Sequence, residues 1–320
     1  MLRSLGSAVS GMDAFQTDLD VVGNNIANVN TIGYKSARAV FADMLSQTLS
    51  GATAPTYTGA TSTSTNLSGG VNAQQVGLGT QIEAIQNEWT QGADQTTGNP
   101  LDVAINGAGL FAVTPDPNSS IALTNNQLSG SNSSVYYTRA GDFSLDANSN
   151  LVLPNGNVVL GYEVTSSSNS SPNTGNLVPI NINTLVTQAG GNPNSSSTTG
   201  SWTLASNPNV TIGSNGSITV TDTSGNTHVI GYLALATFPN YGGLQKIGDS
   251  EWSVTGNSGQ ATFGQPSSTS GTLQSGAVEQ SNVDLTQEFA EMIVAQNGYA
   301  ANSQVISTDK QILQTLMNNV

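Results

Sequence analysis

Two apolar seams at opposite ends of the chain restrict its fold more than any other feature. From the N-terminus, Leu5, Ala8, Met12, Phe15, Leu19, Val22, Ile26 and Val29 recur at alternating spacings of three and four. That spacing lines apolar side chains along one edge of a helix, the seam pattern of coiled coils, and it runs here for about four heptads. At the other end Leu285, Met292, Tyr299, Ile306 and Leu313 form a column at intervals of seven. Beside it runs a mixed column of Phe289, Gln296, Ser303, Lys310 and Met317. Asp284 or Ser281 serves as N-cap, and Gln287 follows Asp284 by three, as a capping box requires. A helix of this length extends about 45–50 Å at about 1.5 Å per residue.

Neither helix is stable alone. Gly6, Gly11 and Gly23 in the first, and Gly298 in the second, each cost about 1 kcal/mol relative to alanine. A seam two residues wide per heptad buries its side chains only under another helix, and most helical stability comes from such packing. The cover is either the other terminal helix or the helices of further copies that order on assembly. Residues 1–30 and 283–320 are therefore expected to form a terminal helical, coiled-coil-like domain.

The middle reads differently. Residues 31–75, with a Thr/Ser/Gly-rich stretch from about Ser50 to Gly70, are expected to be an extended linker or loop. From there, short apolar alternations separated by turn signals predict an antiparallel β domain over 76–165 and 201–282. Asn106-Gly107, Asn155-Gly156 and Asn215-Gly216 are hairpin-turn dipeptides, since Asn and Gly tolerate positive φ. Ser/Asn/Pro-rich segments at about Pro115–Ser134 and Ser166–Gly200 read as insertions. The second, over 166–200, has short strands near Val178–Ile182 and a helical turn near Leu185, as part of the β domain or as a small outer subdomain. The fold class is mixed and mainly β, with an antiparallel β middle and long terminal α-helices.

Composition excludes several functions. Six Lys and Arg against 20 Asp and Glu give a net charge of −14. Such a surface does not neutralise a row of phosphates, which argues against nucleic acid and anionic membrane surfaces as partners. No apolar run reaches the roughly 18–20 residues that span a bilayer; Tyr232–Phe238 is strand-sized. Asp13, Asp18 and Asp20 interrupt any apolar core of a secretory signal. The absence of cysteine rules out disulfides, thiolate nucleophiles and Cys-based metal sites. His228, the single histidine, sits among Thr227, Val229 and Ile230 in an expected strand, with no nucleophile-elbow pattern in the chain. Gly77-Leu78-Gly79 and Gly107-Ala108-Gly109 fall short of a dinucleotide fingerprint. Asp142 and Asp146 have the spacing of turn carboxylates. Asn118-Ser119-Ser120 and Asn132-Ser133-Ser134 match the glycosylation acceptor pattern, as chance allows in so Asn- and Ser-rich a chain. No catalytic, cofactor or metal site is expected.

Leu19–Ser36, LDVVGNNIANVNTIGYKS, closely resembles the N-terminal signature of bacterial flagellar rod and hook proteins. Ala39–Leu49, Val76–Gly79, Leu101–Phe111 and Tyr137–Asp146 resemble that family's β-domain landmarks, and Leu273–Leu316 resembles its C-terminal signature. Gly23, Asn24, Asn25, Asn28 and Gly33 carry the first signature; Ser281, Asn282, Val283 and Asp284 carry the last. Read physically, Gly23 and Asn24-Asn25 fall where the seam passes closely against a neighbour, while Asn30, Thr31 and Gly33 stop the helix. The family often has arginine where Asn297 stands, so no salt bridge is carried over to that position. Lys35, Ser36, Arg38, Phe41, Asp43, Leu45, Ser46, Gln47 and Thr48 resemble the extension of hook subunits, in particular the short Gram-positive type, rather than the distal rod subunit.

The resemblance implies a non-enzymatic subunit of a curved helical tube, exported through the flagellar type III apparatus and located outside the cell. Its partners would be further copies of itself and the rod, hook-cap and hook–filament junction proteins. The terminal helices would form the inner tube, with Leu5, Met12, Phe15, Leu19, Val22, Ile26, Val29, Leu285, Phe289, Met292, Tyr299, Ile306 and Leu313 as its contacts. The residues themselves leave two other classes open: a secreted β-rich adhesin or surface-layer module, and a hydrolase using His228.

Overall fold

The computed structural model describes residues 2–58, 65–117, 121–128, 135–166, 169–172, 174–192, 202–204, 209–267 and 270–318. They divide into two compact units: Met1–Ala27, Ala37–Asn87 and Asp284–Val320 make the first, Asn28–Ser36 and Glu88–Val283 the second.

The first unit joins two helices and a long β-hairpin. Helix α1 spans Leu2–Ala27, three residues short of the expected end, so Val29 lies in the turn that follows. The hairpin's outgoing arm is β1 (Ala37–Asp43), β2 (Ser46–Ser50) and β3 (Thr56–Thr58). Its return is β4 (Thr65–Ser68), β5 (Gln74–Gly77) and β6 (Thr80–Asn87). The strands pair antiparallel as β1–β6, β2–β5 and β3–β4, with register shifts at Val40/Phe41, Thr48/Ser50 and Thr56/Tyr57. Residues 37–58 and 65–75, expected within a linker, are thus hairpin strands. The physical reason is that β2 and β5 are exposed along their whole length. A ladder wet on both faces needs no apolar alternation, and its threonines suit extended backbone. Residues 76–87, expected in the central β domain, belong to the same hairpin.

The second unit is a network of short strands with one exception to antiparallel pairing among the described residues, Gly191–Asn192 with Trp202–Thr203. Its centre is the strand Leu110–Thr114, which pairs with Tyr136–Thr138, Val158–Ser166 and Leu235–Thr237. Alternate side chains of that strand serve two cores. Phe111 and Val113 pack with Val103, Phe143 and Val159 on one face; Leu110 and Ala112 pack with Tyr137, Leu160 and Phe263 on the other. Burial on both faces is why the run reads as continuously apolar.

Asn155-Gly156 and Asn215-Gly216 turn between paired strands, Val152 opposite Val158 and Ile212 opposite Ile218. Asn106-Gly107 does not, because Val103–Asn106 pairs with Thr272–Ser275 instead of the strand that follows it. Helix α2 (Ile182–Gln188) is capped by Asn181, whose side chain accepts from the Thr184 N–H. Its Ile182, Leu185 and Val186 enter the same core as Val103 and Phe111, so residues 174–192 of the 166–200 segment are built into the β unit. Both glycosylation-pattern sites, Asn118-Ser119-Ser120 and Asn132-Ser133-Ser134, lie outside the described residues.

Candidate assembly site

Helix α3 spans Leu285–Asn318. Asp284 is its N-cap, accepting the Thr286 N–H at 2.8 Å. Gln287 does not close a capping box; its amide reaches forward to Glu291 at 3.0 Å. Ser281 accepts the Val283 N–H and lies before the helix.

Helices α1 and α3 pack together through a face that takes in part of the expected seam and adds small and polar residues to it. On α1 the buried positions are Ala8, Gly11, Ala14, Val22 and Asn25, while Leu5, Met12, Phe15, Leu19 and Ile26 are half-buried. On α3 they are Glu288, Ala295 and Asp309, flanked by the half-buried Glu291, Met292, Gly298, Asn302 and Ile306. The helices interlock by notch and knob. A Cβ at Gly298 would lie 2.5 Å from the Phe15 ring, and one at Gly11 would lie 2.6 Å from the Asn302 amide. Ser4 donates to Asp309 at 2.7 Å, and Asn25 donates to Glu288 at 3.0 Å. Phe15 also meets Phe41 of β1 at 5.7 Å between ring centres. Burial, and then the charge of Glu291, push the Asp18 carboxyl above the usual range. Gly23 makes no close approach: nothing lies within 4 Å of where its Cβ would stand.

The expected apolar column of α3 is split, with Met292 and Ile306 half-buried beside this contact. Leu285, Phe289, Tyr299 and Leu313 are exposed, Phe289 at 49%. Ile293 continues Leu285 and Phe289 at a spacing of four, and Val294, Ile312 and Leu316 are further exposed apolar side chains, Val294 at 66%. Contiguous exposed apolar side chains mark interaction surfaces. The members of the contact that the sequence did not reveal, Gly298, Asn302, Asp309 and Glu288, are small or polar.

The signature residues have local structural work. Asn25 is 2% exposed and its amide grips the backbone of Ala37, accepting its N–H at 3.0 Å and donating to its carbonyl at 2.7 Å. In the second unit, Asn28 accepts from the Thr31 hydroxyl in the turn that ends α1. Gly33 has φ +67°, and a Cβ there would sit 2.6 Å from the Ala140 nitrogen. Both the conformation and the contact exclude a side chain. Asn282 accepts the Ser36 N–H at 2.8 Å and donates to the Glu88 carbonyl at 3.0 Å.

Sequence reasoning missed a buried charge cluster in this unit. Lys35 donates to Glu279 and to the Thr90 carbonyl, both at 2.7 Å. The other Glu279 oxygen lies 3.2 Å from Arg139, which also donates to the carbonyls of Ile105 and Gly107. All three side chains are buried. Burial lowers Lys35 and Arg139 from their ordinary values, and Glu279 opposes both shifts. No spacing rule signals this cluster, since its members come from three distant segments.

The remaining candidates are structural. His228 stacks on Trp202 at 4.1 Å and lies 3.4 Å from Asp222, in the strand Thr227–Leu233. Asp146 accepts the N–H groups of Asn148 and Asn150 in a turn, which contributes to holding its carboxyl below the usual range despite the opposing effect of desolvation. Burial raises Asp142.

Comparison with known proteins agrees along the chain. Residues 5–35 match the family described as flagella basal body rod protein, 104–220 the flagellar hook protein FlgE/F/G D1 domain, and 274–319 the flagellar basal body rod FlgEFG protein C-terminal family. The basal-body rod protein FlgG of Bacillus subtilis is 39% identical over 99% of both chains. The hook protein FlgE of Borreliella burgdorferi is 28% identical over 99% of both. A solved hook protein of Helicobacter pylori aligns with 56% of this chain at a TM-score of 0.40 and 10% identity.

Proposed function

The chain belongs to the flagellar rod and hook protein family, whose members are structural components of the flagellum, and we propose that within it this chain is the hook subunit. It assembles with copies of itself into a curved tube outside the cell that passes torque from rod to filament. Its neighbours there are the rod, hook-cap and hook–filament junction proteins, and it reaches them through the flagellar export apparatus. The observation that carries assembly is the exposed apolar stripe of α3, on a helix whose other face already has its partner. A contact of this kind repeated head to tail between identical subunits does not close, and builds a filament.

The hook reading is favoured by the chemistry of the surface. Among the described residues, the Lys and Arg ion pairs are those of the buried Lys35 and Arg139. Neutral Ser, Thr, Asn and Gln contacts exchange partners at lower cost than ion pairs desolvated at an interface, which suits subunits that slide as a tube bends. The distal rod is the second reading, favoured by the 39% identity to a rod protein with end-to-end coverage of both chains. Electron microscopy of polymers grown from the concentrated chain decides. Curved tubes support the hook, straight rods replace it with the rod, and the lack of any polymer overturns both.

A further inference from the structure

The chain passes between its two units after residues 27, 36, 87 and 283. Within the second unit, the residues beside the last three of these passages are held by one side chain. The Asn282 amide accepts the Ser36 N–H at 2.8 Å and donates to the Glu88 carbonyl at 3.0 Å and the Thr90 hydroxyl at 2.9 Å. Ser36 and Glu88 are themselves joined, the Glu88 N–H donating to the Ser36 carbonyl at 2.8 Å.

Glu279, three residues before Asn282, fixes the same segments from the core side. Its backbone carbonyl accepts the Gly33 N–H at 2.9 Å, and its carboxylate accepts from Lys35 at 2.7 Å and from the Gly92 N–H at 3.0 Å. Arg139 completes the cluster from the strand region behind it. The segments 33–36, 88–92 and 279–282 are thus cross-linked by one amide and one carboxylate, although 33–36 carries no ladder of its own.

We infer that Asn282, backed by Glu279, is an anchor that stops unravelling of the terminal helices and the hairpin at the edge of the β unit. Helices with an uncovered apolar face open easily in the free subunit. Without a stop, opening that starts in α1 or in β1–β6 would run on into 28–36 and 88–92, which have few ladder bonds to resist it. With the stop, the β unit keeps its fold while the ends open and close. In a tube, the same anchor receives force arriving through residues 36, 88 and 283. That mechanical meaning rests on the assembly reading, whereas the anchor is measured on the soluble chain, so the two fail independently.

Amide hydrogen exchange of the full soluble chain tests it. In the native sequence, the Ser36 and Glu88 amides should exchange at least tenfold more slowly than those of α1. Asn282→Ala should raise exchange at 33–36 and 88–92 at least tenfold while leaving 110–114 unchanged. Asn282→Asp keeps the acceptor for Ser36 and should leave the Ser36 amide slower than in Asn282→Ala. Exchange of Ser36 at the rate of α1 in the native chain overturns the anchor, even where the alanine variant does not fold. So does an alanine variant with unchanged exchange at 33–36, or one in which 110–114 opens equally.

Discussion

The β unit and the helical unit treat apolar side chains in opposite ways. In the β unit the run Tyr232–Ala236 is buried at every position, and Phe111 and Leu110 disappear into separate cores on either side of one strand. In the helical unit Phe289, Ile293 and Val294 stand in solvent on α3, and Leu45 of the hairpin is 85% exposed. Buried charge is also arranged differently. The β unit clusters Lys35, Arg139 and Glu279 as ion pairs, while the helical unit buries Glu288 and Asp309 against neutral partners, Asn25 and Ser4. The β unit covers its apolar side chains within the single chain, whereas the helical unit leaves apolar side chains of α3 uncovered. The contrast is the one expected if the proposed assembly completes the helical unit.

The sharpest way to break this comparison is to damage the β unit. Glu279→Ala leaves two buried cations without their shared carboxylate, and loss of one partner of a buried pair costs about 3–5 kcal/mol. Thermal unfolding followed by the near-ultraviolet signal of the buried Trp252 should shift down accordingly. A shift no larger than that of a surface substitution would mean the cluster is not part of the unit's stability.

The second effect is smaller and belongs to the helical unit. Gly298→Val places a side chain where the Phe15 ring already sits, 2.5 Å from the first added carbon. Overpacking of this kind costs about 1–3 kcal/mol. The far-ultraviolet helix signal of the soluble chain should melt earlier while the β unit's transition stays in place. Movement of both transitions together would show that the two units do not differ in independence.

Period and turn chemistry made much of this architecture legible. The seams located both helices, and Asn155-Gly156 and Asn215-Gly216 located true hairpins. Three features escaped. The outgoing arm of the hairpin and the start of its return were read as linker, since the β2–β5 ladder is exposed along its length and carries no apolar period. The parts played by Gly298, Asn302 and Asp309 in the α1–α3 contact escaped because these residues have no hydrophobic signature. The roles of Asn25 and Asn282 were visible only as family signature, since an amide that holds backbone, 12 residues away for Asn25 and 246 for Asn282, has no periodic spacing to detect. Arg139, buried with Glu279, is committed to an ion pair within its own chain.

A third effect, smaller again, sharpens the contrast through pH. Burial and Glu291 raise the folded-state pKa of Asp18. The folded unit therefore binds that proton more tightly than the unfolded chain. Its stabilising contribution is complete below the unfolded value and is lost as pH rises through the folded one. The α1–α3 pair should thus gain stability as pH falls from neutrality toward about 4, and Asp18→Asn should remove part of that gain. Identical pH profiles for the helix signal of the two proteins would exclude Asp18 as a contributor.

The last prediction has the smallest effect on the free chain and the most direct bearing on what the helical unit is for. Phe289→Ser and Ile293→Ser alter side chains that are 49% and 58% exposed, on the side of α3 that does not face α1. Surface changes away from caps, cores and networks usually shift stability by no more than about 0.5 kcal/mol. The free subunit should therefore melt as before, in both units. Assembly should fail, because the same side chains lose the apolar burial that a neighbouring copy would provide, about 25 cal/mol per Å² covered. Sedimentation of polymer against soluble chain reads the outcome. If the double variant polymerises like the native chain, the stripe is an ordinary wet surface, and the helical unit has to be completed elsewhere. If instead the free subunit melts earlier by as much as Gly298→Val, the stripe belongs to the single chain's own fold. Only loss of polymer with an unchanged monomer keeps the contrast between a unit finished alone and a unit finished by its neighbours.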